Sequence, residues 1–124
     1  MFKNSNVFSS YSVNDLSAAK RFYGQTLELQ VSESAEGLEL KFANGSSVFL
    51  YPKPNHSPAT FTVLNFIVDN IDSAVEELRS RDVTFEHYEG AIKTDEKGIH
   101  RNSGPKIAWF KDPAGNILAV LQPR

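Results

Sequence analysis

Three histidines, His56, His87 and His100, and the nearby acids Glu86, Glu89, Asp95 and Glu96 are the side chains best suited to acid–base or metal chemistry. Imidazole carries protons near neutral pH and offers a nitrogen ligand, while carboxylates supply bases and oxygen ligands. The histidines are not spaced for joint work: no two of them stand at the i, i+4 separation that places a pair of ligands on one helical face. Solvated polar side chains are the ordinary reading of this set. A non-standard metal site would have to draw on His87, His100 and the surrounding acids. The chain contains no cysteine, which removes disulfides, thiolate nucleophiles and thiolate metal sites. Neither a phosphate-cradling glycine loop nor a serine nucleophile elbow occurs.

The bulk properties narrow the partners. A net charge of -2, with scattered rather than striped basic residues, argues against a nucleic-acid surface. No apolar run approaches the roughly 20 residues that cross a bilayer, and the first residues lack a signal-peptide pattern. A cytoplasmic protein is the default expectation. With 124 residues, 40% of them hydrophobic, the chain has material for one ordinary core.

The elements that must position any site are clearest near the end of the chain. Residues 110–121 read as strand, turn, strand, because Pro113 presets the first corner of a turn and Gly115 tolerates a positive φ. A shift of seventy residues lays Leu40-Lys41-Phe42-Ala43-Asn44-Gly45 on Phe110-Lys111-Asp112-Pro113-Ala114-Gly115. A shift of fifty-five lays Val13-Asn14-Asp15-Leu16 on Val68-Asp69-Asn70-Ile71 and Ala19 on Ala74. The two shifts differ by fifteen residues, so the second copy of a repeated unit carries an insertion, best placed in the polar stretch 89–104.

Each copy reads strand, helix, strand, strand, strand. In the first, residues 7–13 form a strand, Asp15 caps a helix with Leu16, Ala19 and Phe22 or Tyr23 on one face, and strands follow at 29–34, 38–42 and 47–51. In the second, 63–68 is the strand, Asn70 the cap, and Ile71, Ala74, Val75 and Leu78 the helical stripe; strands follow near 83–87, 107–111 and 116–122. Three prolines within residues 52–58 mark an extended connection.

The paired units, the phrase Val13-Asn14-Asp15-Leu16 leading to Phe22-Tyr23-Gly24, and the closing Asp112-Pro113-Ala114-Gly115-Asn116 resemble the vicinal oxygen chelate superfamily, which includes glyoxalase I, extradiol dioxygenases and bleomycin-resistance proteins. The resemblance spans roughly residues 5–122. It implies an α+β fold in which two βαβββ modules stand in tandem, their curved mixed sheets forming an open cup with helices outside, in a homodimer. On this reading 1–124 is a single domain: module one at 5–52, a linker at 52–60, and module two at 61–122 with its inserted loop at 89–104.

Metal enzymes of that superfamily carry His, Glu or Gln at four inward strand positions. Counting from the matched motifs, the resemblance places them at Phe8, Phe49, Val63 and Ala119, none of which offers a lone pair. The expectation is therefore no metal and no cofactor. Strand alternation then gives the lining of the cup as Phe8, Ser10, Glu39, Phe49, Tyr51, Val63, Asn65, Trp109 and Leu121. This surface is mostly apolar and aromatic with a few polar groups, the chemistry of a small-molecule pocket, and Trp109 offers a stacking surface and an indole donor. Filling of a core between sheets is the structural alternative for the same side chains.

The 89–104 stretch is long for a connection and reads as a lid, with Ile92 and Ile99 as its large apolar residues and Gly90, Gly98 and Gly104 as flexible points. The functional expectation is a metal-free protein that binds a small aromatic or apolar molecule in the cup. The alternative is a glyoxalase-type lyase or isomerase using an atypical metal site or an acid–base pair drawn from Glu39, His87, His100 and Tyr51.

Overall fold

A computed structural model describes residues 1–102 and 104–124. Ser103, at the end of the predicted insertion, lies outside the described residues. The chain divides into two compact units, 1–57 and 58–124. Among the described residues no helix is long and apolar enough to cross a membrane.

The first unit runs β1 (Ser9–Val13), α1 (Leu16–Arg21), a π-helical turn (Phe22–Thr26), β2 (Gln30–Glu33), β3 (Leu38–Lys41) and β4 (Ser47–Pro52). Its sheet has the order β1-β4-β3-β2, with β1 parallel to β4 and the other pairs antiparallel. The second unit runs β5 (Thr62–Ile67), α2 (Ile71–Ser80), a short 3₁₀ turn (Gly90–Ile92), β6 (Ile99–His100), β7 (Lys106–Lys111) and β8 (Ile117–Gln122). Its order, β5-β8-β7-β6, repeats the first, again with one parallel pair. The tandem βαβββ arrangement expected from the internal repeat is the observed one.

The repeat extends to atoms. Asp15 accepts from the amide of Ala18, and Asn70 accepts from the amide of Ser73, both caps having nearly the same extended backbone. Each satisfies an amide that the first helical turn leaves without a partner. In the two hairpins Gly45 donates to the Phe42 carbonyl and Gly115 to that of Asp112, with φ of 86° and 85°. Only glycine adopts that conformation cheaply, which is why both turns keep it. Asp112 is buried, and its carboxylate accepts from the amides of Ala114 and Asn116 and from the Asn116 side chain. The acid of the closing motif thus serves the turn.

Alternation divides each sheet into a sealed face and an open one. In the first unit Val13, Leu38, Leu40, Val48 and Leu50 are buried with Ala19 and Tyr23, whose hydroxyl meets that of Tyr11 at 2.8 Å. In the second, Ala108, Phe110, Leu118 and Val120 are buried with Ile71 and Val75 of α2.

Two local expectations are corrected. The strand read at 83–87 shrinks to a single bridge, Phe85 with Phe110, and the fourth strand of the sheet is Ile99–His100 from within the predicted loop. The edge of β7 is shared: Ile99 and His100 pair with Ala108 and Ile107, while Glu86 donates its amide to the Trp109 carbonyl at 2.8 Å. In addition, β5 carries a bulge between Thr62 and Leu64, leaving Val63 as the extra residue against β8.

Gly37 tests how tightly the first unit is built. A Cβ there would collide with the Leu50 carbonyl oxygen on β4. Gly37→Ala is expected to cost about 1–3 kcal/mol, the range for forcing extra atoms into a packed site. Urea denaturation measures it, and an unchanged midpoint would show that the strands can part without penalty.

Candidate functional site

The open faces carry the residues singled out from sequence, and register sorts them into two rows. Across the first sheet, Ser10 on β1 faces Phe49 on β4, and Phe49 faces Glu39 on β3. Tyr51 lies one step along beside Ser12, whose hydroxyl sits 2.6 Å from Nδ1 of His56. Phe8 falls just before β1 and is 65% exposed. Across the second sheet, Asn65 on β5 faces Ala119 on β8, and Ala119 faces Trp109 on β7. Leu121 is one step along, between Ile67 and Ile107. The seventy-residue shift maps Phe49 onto Ala119 and Glu39 onto Trp109, so the rows are counterparts. Val63 stands apart: the bulge puts Thr62, not Val63, opposite Ile117 in the register of the open face.

None of the positions that the resemblance assigns to metal ligands carries a donor, and their cross-strand neighbours add a hydroxyl at Ser10, an amide at Asn65 and a single carboxylate at Glu39. Among the described residues no three His, Cys, Asp or Glu side chains lie close enough to hold an ion together. Phe8, Phe49, Val63 and Ala119 thus do not fit the metal that the superfamily's enzymes hold at these positions. The set of His87, His100 and loop acids does not assemble either: His87 is exposed, whereas His100 is buried and donates from Nδ1 to the Lys93 carbonyl.

A cleft of about 640 Å³ opens within the second unit. Its floor is Trp109 and Ile117; Phe61 and Thr62 stand on one side, Glu86, Tyr88 and Lys111 on the other. Trp109 is only 9% exposed, because Tyr88 meets its ring edge-on at 5.2 Å and His100 lies 6.4 Å away. It therefore offers the cleft only a small part of the stacking face expected from sequence. The open ring is that of Phe61, 67% exposed. Sequence reasoning did not place Phe61, Thr62, Glu86 or Tyr88 at a pocket, although Glu86 was singled out for its carboxylate. Alternation along 85–88 held the signal for the last two: Phe85 is buried in the core, so Glu86 and Tyr88 turn the other way.

The segment expected to be a lid is pinned. Arg101 Nε donates to Asp95 Oδ2 at 2.8 Å, and its terminal nitrogen donates to Asp72 Oδ1 on α2 at 2.6 Å. Asp95 Oδ1 accepts from the amides of Lys97 and Ile99, and Thr94 Oγ1 accepts from the amide of Tyr88. Ile99 faces the core and is fully buried, whereas Ile92 borders the cleft. The Arg101 hydrogen bond holds the Asp72 carboxyl below its usual range. Burial works against the same shift at Asp95, where Arg101 and the Ile99 and Lys97 amides prevail.

A family model described as Glyoxalase/Bleomycin resistance protein/Dioxygenase superfamily matches residues 7–120. The chain belongs to this superfamily. No curated protein matches it. Solved structures of similar fold include the antibiotic binding protein TnmS3 from Streptomyces sp. CB03234, at 22% identity and a TM-score of 0.68 over 98% of both chains. A glyoxalase family protein from Enterococcus faecalis superposes with a TM-score of 0.70 at 19% identity, over 98% of this chain and 99% of its own. A lactoylglutathione lyase from Agrobacterium tumefaciens gives 0.65 at 21%, over 97% and 95%. At these identities the superpositions establish the superfamily fold and leave the activity to the site.

The Arg101 clasp has a defined pH signature. Both carboxyls titrate below their unfolded value in the folded chain, so their contribution is complete above that value and is lost as pH falls through the folded one. Arg101→Gln should destabilise the protein at pH 7 and much less at pH 3. Urea midpoints of both forms at the two pH values check this; equal losses at each would remove the clasp's electrostatic role.

Proposed function

We propose that this superfamily member is a metal-free binding protein for a small aromatic or apolar molecule, held in the second unit's cleft beside Trp109. The observation that carries the proposal is the composition of that cleft: Phe61, Tyr88, Ile92, Trp109 and Ile117 supply an apolar and aromatic lining, with a few polar groups to orient a guest. Ligand pockets combine these features, burying most of a guest against hydrocarbon and fixing it with sparse hydrogen bonds. The hydrocarbon side chains at Phe8, Phe49, Val63 and Ala119 support the metal-free part of the reading. Antibiotic binding by TnmS3, a protein of the same fold, supports a binding role for the scaffold.

The single tryptophan reports directly on the site. Titration with a panel of planar aromatic metabolites and antibiotics should shift its emission for at least one compound, and silence across the panel would remove the proposal. Phe61→Ala should weaken that binder about three- to tenfold, as expected for losing an aromatic anchor. Because Phe61 is exposed, the same change should move stability by less than about 0.5 kcal/mol. Elemental analysis of protein purified without chelator should find no stoichiometric zinc, nickel, iron or manganese; a full equivalent of any of them would refute the metal-free reading.

A further inference from the structure

The polar wall of the cleft says more about the guest than its aromatic floor does. Among the described residues, Glu86 and Lys111 are the only charged ones lining it, and they face each other with Lys111 Nζ 3.4 Å from Glu86 Oε1. Backbone geometry fixes both. Glu86 is tied to β7 by the hydrogen bond its backbone N–H donates to the Trp109 carbonyl, and Lys111 lies two residues beyond Trp109 on the same face. Tyr88 stands on the same wall. Its phenol is raised above the usual range first by burial and then by Glu86, with Lys111 opposing, so it remains a neutral donor at physiological pH.

We infer that the cleft selects an uncharged planar ring bearing a hydrogen-bond donor and an acceptor side by side on one edge. This inference rests on the binding role proposed above and goes on to the charge state and edge chemistry of the guest. The pair is already neutral, so an anion drawn to Lys111 meets the Glu86 carboxylate, and a cation drawn to Glu86 meets the ammonium. Like-charge juxtaposition of this kind discriminates more than it binds. A neutral edge with both functions satisfies the two groups at once: its N–H or O–H donates to Glu86 while its carbonyl accepts from Lys111 or Tyr88. The flat remainder then lies along Phe61 and beside Trp109.

Three isosteric probes separate the possibilities: 2-naphthamide is neutral, 2-naphthoate anionic and 2-naphthamidinium cationic. Binding is followed through the single indole N–H resonance of Trp109 at pH 7 and low ionic strength. The amide is expected to bind about fivefold tighter than either ion, the scale of a half-exposed charge pair. Glu86→Gln frees Lys111 and should move the preference to naphthoate, whereas Lys111→Gln should move it to naphthamidinium. Both substitutions are isosteric or nearly so on partly exposed side chains, and the rest of the spectrum reports whether the fold is kept. If an ion equals the amide in the unaltered protein, or the two variants leave the order unchanged, the inference is overturned while binding itself stands. If no probe moves the indole signal, the binding role falls and the inference with it.

Discussion

A sheet of four strands with one helix behind it can be sealed on one side only, and this constraint governs both halves of the chain. Successive residues of a strand point to opposite faces, so burying Leu38, Leu40, Val48 and Leu50 behind α1 obliges Glu39 and Phe49 to turn the other way. The same rule in the second unit buries Ala108, Phe110, Leu118 and Val120 and leaves Trp109, Lys111 and Ile117 for the cleft. What the protein offers a guest is thus the face turned away from the helix, although Ala119 and most of Trp109 are buried there too.

The features that could be read from the sequence are those set by local chemistry. The caps Asp15 and Asn70 and the glycines of the two hairpins act within three or four residues, and each was found where the residue type demanded it. Register likewise sets Ser10, Glu39 and Phe49 in one cross-strand row and Asn65 and Trp109 in another, because alternation propagates unchanged along a regular strand. It fails where the strand does. The bulge at 62–64 exchanges Thr62 for Val63 in the open-face register, and nothing in Thr62-Val63-Leu64 announces the extra residue.

The edge of the second sheet was illegible for a different reason. Residues 83–87 have strand-like composition, yet pairing with β7 is a contest for one set of backbone groups, settled by tertiary contacts. Phe85 takes one position beside Phe110, its ring 5.6 Å away, and Ile99 and His100 take the others. Winning those positions required the intervening chain to fold back, which Asp95 and Arg101 secure through their bonds to each other, to backbone amides and to Asp72. A polar, glycine-containing stretch that read as a lid is instead braced, and its His100 joins Tyr88 beside the indole.

This patchwork border also bears on how the protein avoids sticking to itself. A long exposed strand is a template on which a foreign chain can add another, and short edge strands are one way proteins blunt that hazard. β6 presents two residues and Phe85 a lone bridge, too brief a stretch along that border for an intruding strand to gain purchase. The insertion that supplies Ile92 to the cleft and β6 to the sheet therefore doubles as a guard against misassembly.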